Sequence, residues 1–273
     1  MIGGHTNVMV EWAPDSYSPS RTFDQLPERV GPGSRAAILN NTLYSCGGHV
    51  SEAFGGSTKC FAVDMDKGSW SRVEDMKVGR FGFTLTAVGA QLVATGGTRA
   101  GLKSVEIYTI GSGWKTANWS LAAGAYRHCA VAVSDSELMV FSGQGLSTMR
   151  VTKYNIHNGA RKSLDPPSTA ITPSSYLCAK DGDHIYVTNN AESVYSKKTK
   201  HLVWKYDIAG NNWGKLPELK AHYWHQLAVV NGKLCSFDRD GVQVLEKGKW
   251  KLALHQPKHQ LVDGAVVVHP FVV

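Results

Sequence analysis

A short apolar strand running into a pair of small residues recurs along this chain, and the recurrence leaves few folds open. LYSCGGH (43–49), LVATGGT (92–98) and LMVFSGQ (138–144) are the clearest copies; IYVTNNA (185–191) and KLCSFDR (233–239) are weaker ones. After each comes a loop, then a strand carrying an aromatic or apolar anchor, then a turn and often a tryptophan. Phe61 leads to Trp70, Tyr108 to Trp114, Tyr206 to Trp213 and Val244 to Trp250, while the unit opened by Tyr154 has no tryptophan. Trp12 leads in the same way to Phe23, and successive anchors lie 38 to 52 residues apart. Regular spacing of this kind marks a repeat architecture, each unit being one supersecondary element. Alternating runs such as NVMVEW, punctuated by glycine, make the units β.

Six units account for the chain only if it is read as a circle. Joining its ends gives GAVVVHPFVV followed by MIGGHTNVMVEW, which matches the interior unit FTLTAVGAQLVATGGTRAGLKSVEIY (83–108). A repeat sheet with an unpaired edge exposes its backbone N–H and C=O groups. Dividing one repeat between the termini lets the two ends pair and close the ring.

The glycine doublet, the downstream tyrosine-type residue, the tryptophan after it and the basic residues of GRFGF (Arg80) and YRHCA (Arg127) resemble the Kelch repeat over the full chain. The resemblance implies an all-β fold, a six-bladed Kelch-type β-propeller of four-stranded antiparallel blades with the first strand innermost. One domain, 1–273, is expected: a shared blade from 1–30 plus 256–273, and interior blades near 31–76, 77–121, 122–167, 168–219 and 220–255. The glycines suit positions where the backbone takes positive φ or approaches another chain segment closely. The Tyr and Trp rings supply apolar area between blades, each with a polar tip to satisfy. Two copies depart from the pattern, with Asn189-Asn190 and Ser236-Phe237-Asp238 in place of Gly-Gly.

Composition narrows the function classes. A hydrophobic content of 42% against 19% charged residues excludes disorder. The net charge of +7 favours acidic partners, but the Lys and Arg residues are scattered and are equally readable as a solvated surface. Five cysteines (Cys46, Cys60, Cys129, Cys178 and Cys235) are too few for a disulfide scaffold and odd in number. They read as reduced and mostly buried, which favours a cytoplasmic setting, with Cys46–Cys60 the one bridge left open. No apolar run is long enough to span a membrane, and the sequons at Asn40 and Asn118 are of the number chance supplies.

In Kelch propellers the connections entering the first strand and those leaving the second open on one face around the central channel, where partner peptides bind. By position, the first set carries over to Arg35, Arg80, Tyr126, Arg127, His128, Ser174, Ser175, Tyr223, Trp224 and His259. The second carries over to His5, His49, Arg99, Gln144, Asn189 and Arg239. The set is basic and aromatic with little acid, and suits an extended peptide bearing Asp, Glu or phosphate. For Arg80 and Arg127 a structural role, holding neighbouring blades through backbone carbonyls, stands beside the binding role. His5 and His49 recur at one repeat position but lack a third ligand at any diagnostic spacing, so no metal and no cofactor is expected.

Catalysis finds little support. No motif places a Tyr–Cys copper site, DMDKGSW is one residue short of a sialidase box, and the face is poor in the paired carboxylates that glycosidases need. Basic residues interleaved with aromatics along one strand are absent, which argues against nucleic acid. The expectation is a non-catalytic protein-interaction domain. The resemblance implies a substrate-recognition part of a BTB–Kelch ubiquitin-ligase adaptor, reaching a cullin through a BTB domain missing from this chain. An actin-binding Kelch protein, a secreted Kelch protein or an enzymatic propeller are the alternatives.

Overall fold

A computed structural model describes residues 10–13, 18–22, 26–28, 30–50, 55–143, 149–167, 175–190, 199–221, 225–238 and 241–255. The chain opens with β1 (Val10–Ala13) and β2 (Ser18–Thr22), an antiparallel two-stranded sheet. Blade I follows, with β3 (Arg35–Leu39), β4 (Thr42–Cys46), β5 (Cys60–Asp64) and β6 (Trp70–Val73). Blade II has β7 (Thr84–Val88), β8 (Gln91–Thr95), β9 (Leu102–Thr109) and β10 (Gly113–Ala125). Blade III has β11 (Cys129–Ala132), β12 (Glu137–Ser142), β13 (Arg150–Asn155) and β14 (Arg161–Leu164). Blade IV has β15 (Ser175–Asp181), β16 (His184–Asn190), β17 (Thr199–Asp207) and β18 (Asn212–Ala221). Blade V has β19 (Gln226–Val230), β20 (Lys233–Asp238), β21 (Gly241–Glu246) and β22 (Lys249–His255). Each blade is a separate antiparallel meander in chain order. The first strands of successive blades, from β3 through β7, β11 and β15 to β19, pack against one another in turn.

The expected count of six four-stranded blades is therefore corrected: the described residues form five. The unit around Trp12 was counted as a full blade, and among the described residues it contributes the pair β1–β2. The expected pairing of the N- and C-terminal segments falls on 1–9 and 256–273, which lie outside the described residues.

Among the described residues no ladder joins the sheet of one blade to that of the next, so side-chain packing, with main-chain bonds between the connections, holds them together. The core accordingly divides into layers at the junctions. Ala37, Tyr44, Phe83, Leu92, Tyr108 and Trp114 fill the layer between blades I and II. Val93, Val105, Leu121, Leu138, Val140 and Tyr154 fill that between II and III. Phe141, Val151, Tyr176, Ile185, Trp204 and Tyr206 lie between III and IV. Ala179, Val203, Leu219, Leu227 and Leu234 lie between IV and V. A blade covered on both faces buries both sides of its second strand, as in β8, where Leu92 to Thr95 are all buried. Two of the repeat tryptophans satisfy their polar tips across junctions: Trp213 Nε1 donates to the Asp165 carbonyl of the preceding segment and Trp250 Nε1 to that of Pro217, whereas Trp114 Nε1 is buried without a hydrogen-bond partner among the described residues.

The glycine doublets mark where a second strand leaves its sheet and meets the connection entering the next blade. Gly48 N donates to Arg80 O at 2.8 Å, and Gly97 N to Ala125 O at the same distance. Both glycines have positive φ, 111° and 104°. A Cβ on Gly48 would lie 2.6 Å from Gly31 O, so the backbone approach itself excludes a side chain. In blade IV the strand β16 instead continues through Asn189 and Asn190, which pair with Tyr176 and Ser175.

The cysteine reading is also corrected. Cys46 and Cys60, directly opposite on β4 and β5, form a disulfide. A second joins Cys129 of β11 to Cys178 of β15, 5.9 Å apart at Cα. Cys235, buried, belongs to neither disulfide. Cys129 and Cys178 are 49 residues apart, one repeat, and so occupy neighbouring blades at similar depth.

Candidate interaction site at the channel mouth

The starts of the first strands are tied by main-chain hydrogen bonds. Gly82 N donates to Gly33 O at 2.9 Å, Arg127 N to Gly82 O at 2.7 Å, and Tyr176 N to Arg127 O at 2.8 Å. This hub runs across the entrances of blades I to IV. It requires left-handed backbone at equivalent positions, met by Gly33 (φ 76°), Gly82 (φ 60°) and Arg127 (φ 51°). For an arginine that conformation is unfavourable by roughly 1–2 kcal/mol.

Within the hub lies a cavity of about 150 Å³, lined by the first strands of all five blades. Arg35, Thr84, Thr86, His128, Tyr176 and Gln226 supply its polar side chains, and no carboxylate is among its lining residues. Arg35 is half-buried and also donates to the Ser34 carbonyl. His128 is 2% exposed. Its Nε2 bonds Thr95 Oγ1 at 2.8 Å, which bonds Thr84 Oγ1 at 2.7 Å. Burial, with the charges of Arg35 and Arg80, pulls the imidazole down to about 3. His128 is therefore neutral and contributes a dipole to the cavity wall, not a charge. The Tyr176 hydroxyl is buried without a hydrogen-bond partner among the described residues, and burial pushes its pKa up, so it stays protonated.

Beside the cavity a row of rings crosses blades I to III. His49 meets Phe81 edge-on at 5.0 Å, Phe81 meets Tyr126 at 5.6 Å, and the Arg127 guanidinium lies over the Tyr126 ring at 5.2 Å. Arg99 is exposed in the turn after β8, a turn held to Phe81 by the bond from Thr98 N to Phe81 O. Arg35, His49, Arg99, Tyr126, Arg127 and His128 are thus brought to one end of the first strands.

Arg80 is elsewhere. It is wholly buried, and its guanidinium makes five hydrogen bonds: to Gly96 O, Ser104 O, Ser104 Oγ, and twice to Glu106 Oε1. All five of its N–H donors are thereby occupied. Glu106, equally buried, also accepts from the amides of Lys77 and Val78. Burial lowers the Arg80 pKa while Glu106 pushes it back up. The ion pair fastens the connection entering blade II to its third strand and leaves Arg80 no surface for a partner. Arg80 and Arg127 are not equivalent: by the hub bonds Arg80 corresponds to Ala125, and Arg127 to Gly82. The side chains of His5, Gln144, Tyr223, Trp224 and Arg239 lie outside the described residues, as do those of Ser174, Asn189 and His259.

Phe81, Tyr176 and Gln226 were not among the expected site residues. Phe81 stands between the two quoted glycine-flanked positions of GRFGF and was the most legible of the three. Among the described residues no three metal-ligating side chains converge, and no helix is long and apolar enough to cross a membrane.

No protein-family model matches the chain. It is 33% identical over 138 residues to Kelch-like protein 26 of Mus musculus, covering 47% of this chain and 22% of the mouse protein. It is also 33% identical over 152 residues to Kelch-like protein 26 of Danio rerio, covering 53% of this chain and 25% of that one. The matched region thus spans about a quarter of the length of these relatives. The likeness and the four-stranded blades together support a Kelch-repeat propeller.

Proposed function

We propose that this Kelch-repeat propeller is a non-catalytic protein-interaction domain that takes an anionic peptide segment at the channel mouth. The carrying observation is the mouth itself: a cavity with Arg35 in its wall and no carboxylate, flanked by an aromatic row capped by Arg127. Arginine forks match carboxylate and phosphate oxygens, and flat rings supply contact area at little entropic cost. Arg127 adds support, because it keeps a left-handed backbone where the equivalent residues are glycines. Strain retained at such a place points to a use for the side chain. In the adaptor setting that the repeat resemblance implies, with a cullin reached through a BTB domain, the bound segment would belong to the ligation substrate.

Arg127→Gly separates the structural and binding roles. Glycine relieves the backbone, so the variant should melt no lower than the wild type. Binding of glutamate-rich and phosphoserine-bearing nonapeptides, followed by fluorescence anisotropy, should weaken at least ten-fold, and likewise in Arg35→Ala. Raised salt should weaken binding further. Equal binding of neutral or lysine-rich peptides, or unaltered affinity in both variants, would sink this reading.

A further inference from the structure

The two disulfides occupy different mechanical positions. Cys46 and Cys60 are wholly buried neighbours within one sheet, where the β4–β5 ladder already holds them. Cys129 and Cys178 lie on first strands of different sheets, which no ladder joins. Among the described residues theirs is the one disulfide that crosses between blades. Both sulfur-bearing residues line the channel-mouth cavity, with Cys129 8% exposed and Cys178 half-buried. A small thiol entering the mouth can therefore reach this bond, whereas Cys46–Cys60 offers no approach.

We infer that Cys129–Cys178 is a thiol-exchangeable latch between blades III and IV that sets the shape of the channel mouth. This regulation rests on the mouth being the binding site. The reductant is a small thiol of the glutathione class. Its thiolate attacks Cys178 Sγ; the Sγ–Sγ bond breaks, Cys129 leaves as thiolate, and a mixed disulfide forms on Cys178. A second thiolate attacks the small-thiol sulfur of that mixed disulfide. Cys178 leaves as thiolate and the small thiol departs as its own disulfide. The two protons given up by the incoming thiols pass to the two cysteines, and two electrons have entered the protein. With the bond open, β11 and β15 are held to each other by side-chain packing and by the hub bond from Tyr176 N to Arg127 O. Arg127 and His128, just before and at the entry to β11, and Tyr176 in β15 then lose their fixed spacing across the cavity.

The test equilibrates the purified chain at graded ratios of reduced to oxidised glutathione, traps thiols by alkylation and maps them by peptide mass analysis. Cys129 and Cys178 should become labelled together at ratios that leave Cys46 and Cys60 blocked. Amide exchange over 129–132 and 175–181 should then rise at least five-fold, with 84–88 unchanged. Joint opening of both disulfides, or opening with no change in exchange, overturns the latch. Cys129→Ala/Cys178→Ala should reproduce the exchange of the reduced protein; if that variant does not fold, the reduced wild type carries the comparison. The glutamate-rich nonapeptide should bind the opened form at least five-fold more weakly. Equal affinity for both forms removes the regulatory half of the inference. If the peptide binds neither form, the binding-site reading fails, and the latch stands or falls on labelling and exchange.

Discussion

His128 shows how far burial can change what a residue offers. Its position at the entrance of a first strand suggested a contact for anions, yet the fold makes it neutral. The imidazole titrates at about 3, first because it is buried and then because Arg35 and Arg80 oppose its cation. In the unfolded chain it returns to the ordinary value near 6.5. As pH falls, the unfolded chain therefore takes up the proton first. Stability is full above about 6.5 and drains away from there toward 3. Urea unfolding should show the stability advantage of wild type over His128→Asn shrinking by about 3 kcal/mol between pH 7 and pH 4. A pH-independent difference would mean that the ring is not held buried and neutral. Arg127 is the counterpart: exposed enough to act, and placed on backbone that a glycine would occupy more easily.

Between blades, the connection entering each sheet is the element that decides register, and blade II secures it with an ion pair. Removing Arg80 would leave Glu106 buried with only two amide donors. Arg80→Ala should therefore cost about 3–5 kcal/mol, and adding Glu106→Gln should recover part of it, since the remaining buried group is then neutral. A loss under about 1 kcal/mol in calorimetry would contradict the sealed pair. Much of the element plan was legible in the sequence. The anchors Phe61, Tyr108, Tyr154, Tyr206 and Val244 all fall in third strands, because a large side chain recurs wherever a blade must meet its neighbour. The glycine doublets also fall where the backbone approaches too closely for a Cβ. Other features were not legible. Arg80 and Arg127 look alike in sequence, but they differ by two places in the hub, and only the hydrogen-bond register shows it. The Trp12 unit carries the right residue types for a blade and, among the described residues, supplies two strands. Cys129 and Cys178 were separable from the other cysteines by their one-repeat spacing, a signal hidden when cysteines are only counted.

Five four-stranded sheets joined side by side, without a shared ladder among the described residues, form a body whose burial falls from the second strands to the fourth. Second strands such as β4, β8 and β12 are almost wholly buried, whereas β6 and β14 are half-buried to exposed. Native-state amide exchange should therefore be slowest in β4, β8 and β12 and at least ~100-fold faster in β6 and β14. A uniform rate across the four strands of a blade would instead mean that the chain opens only by unfolding altogether. The hub of Gly33, Gly82, Arg127 and Tyr176 has a consequence of another kind. Its bonds run from amide to carbonyl, so this part of the frame does not depend on the side chains at positions 35, 49, 99 and 126. Positions 35, 49, 99 and 126 can in principle be rewritten while the frame that presents them keeps its shape. That separation of frame from lettering is what lets a lineage, or an experimenter building a library on this chain, trade one recognised partner for another without first redesigning the protein.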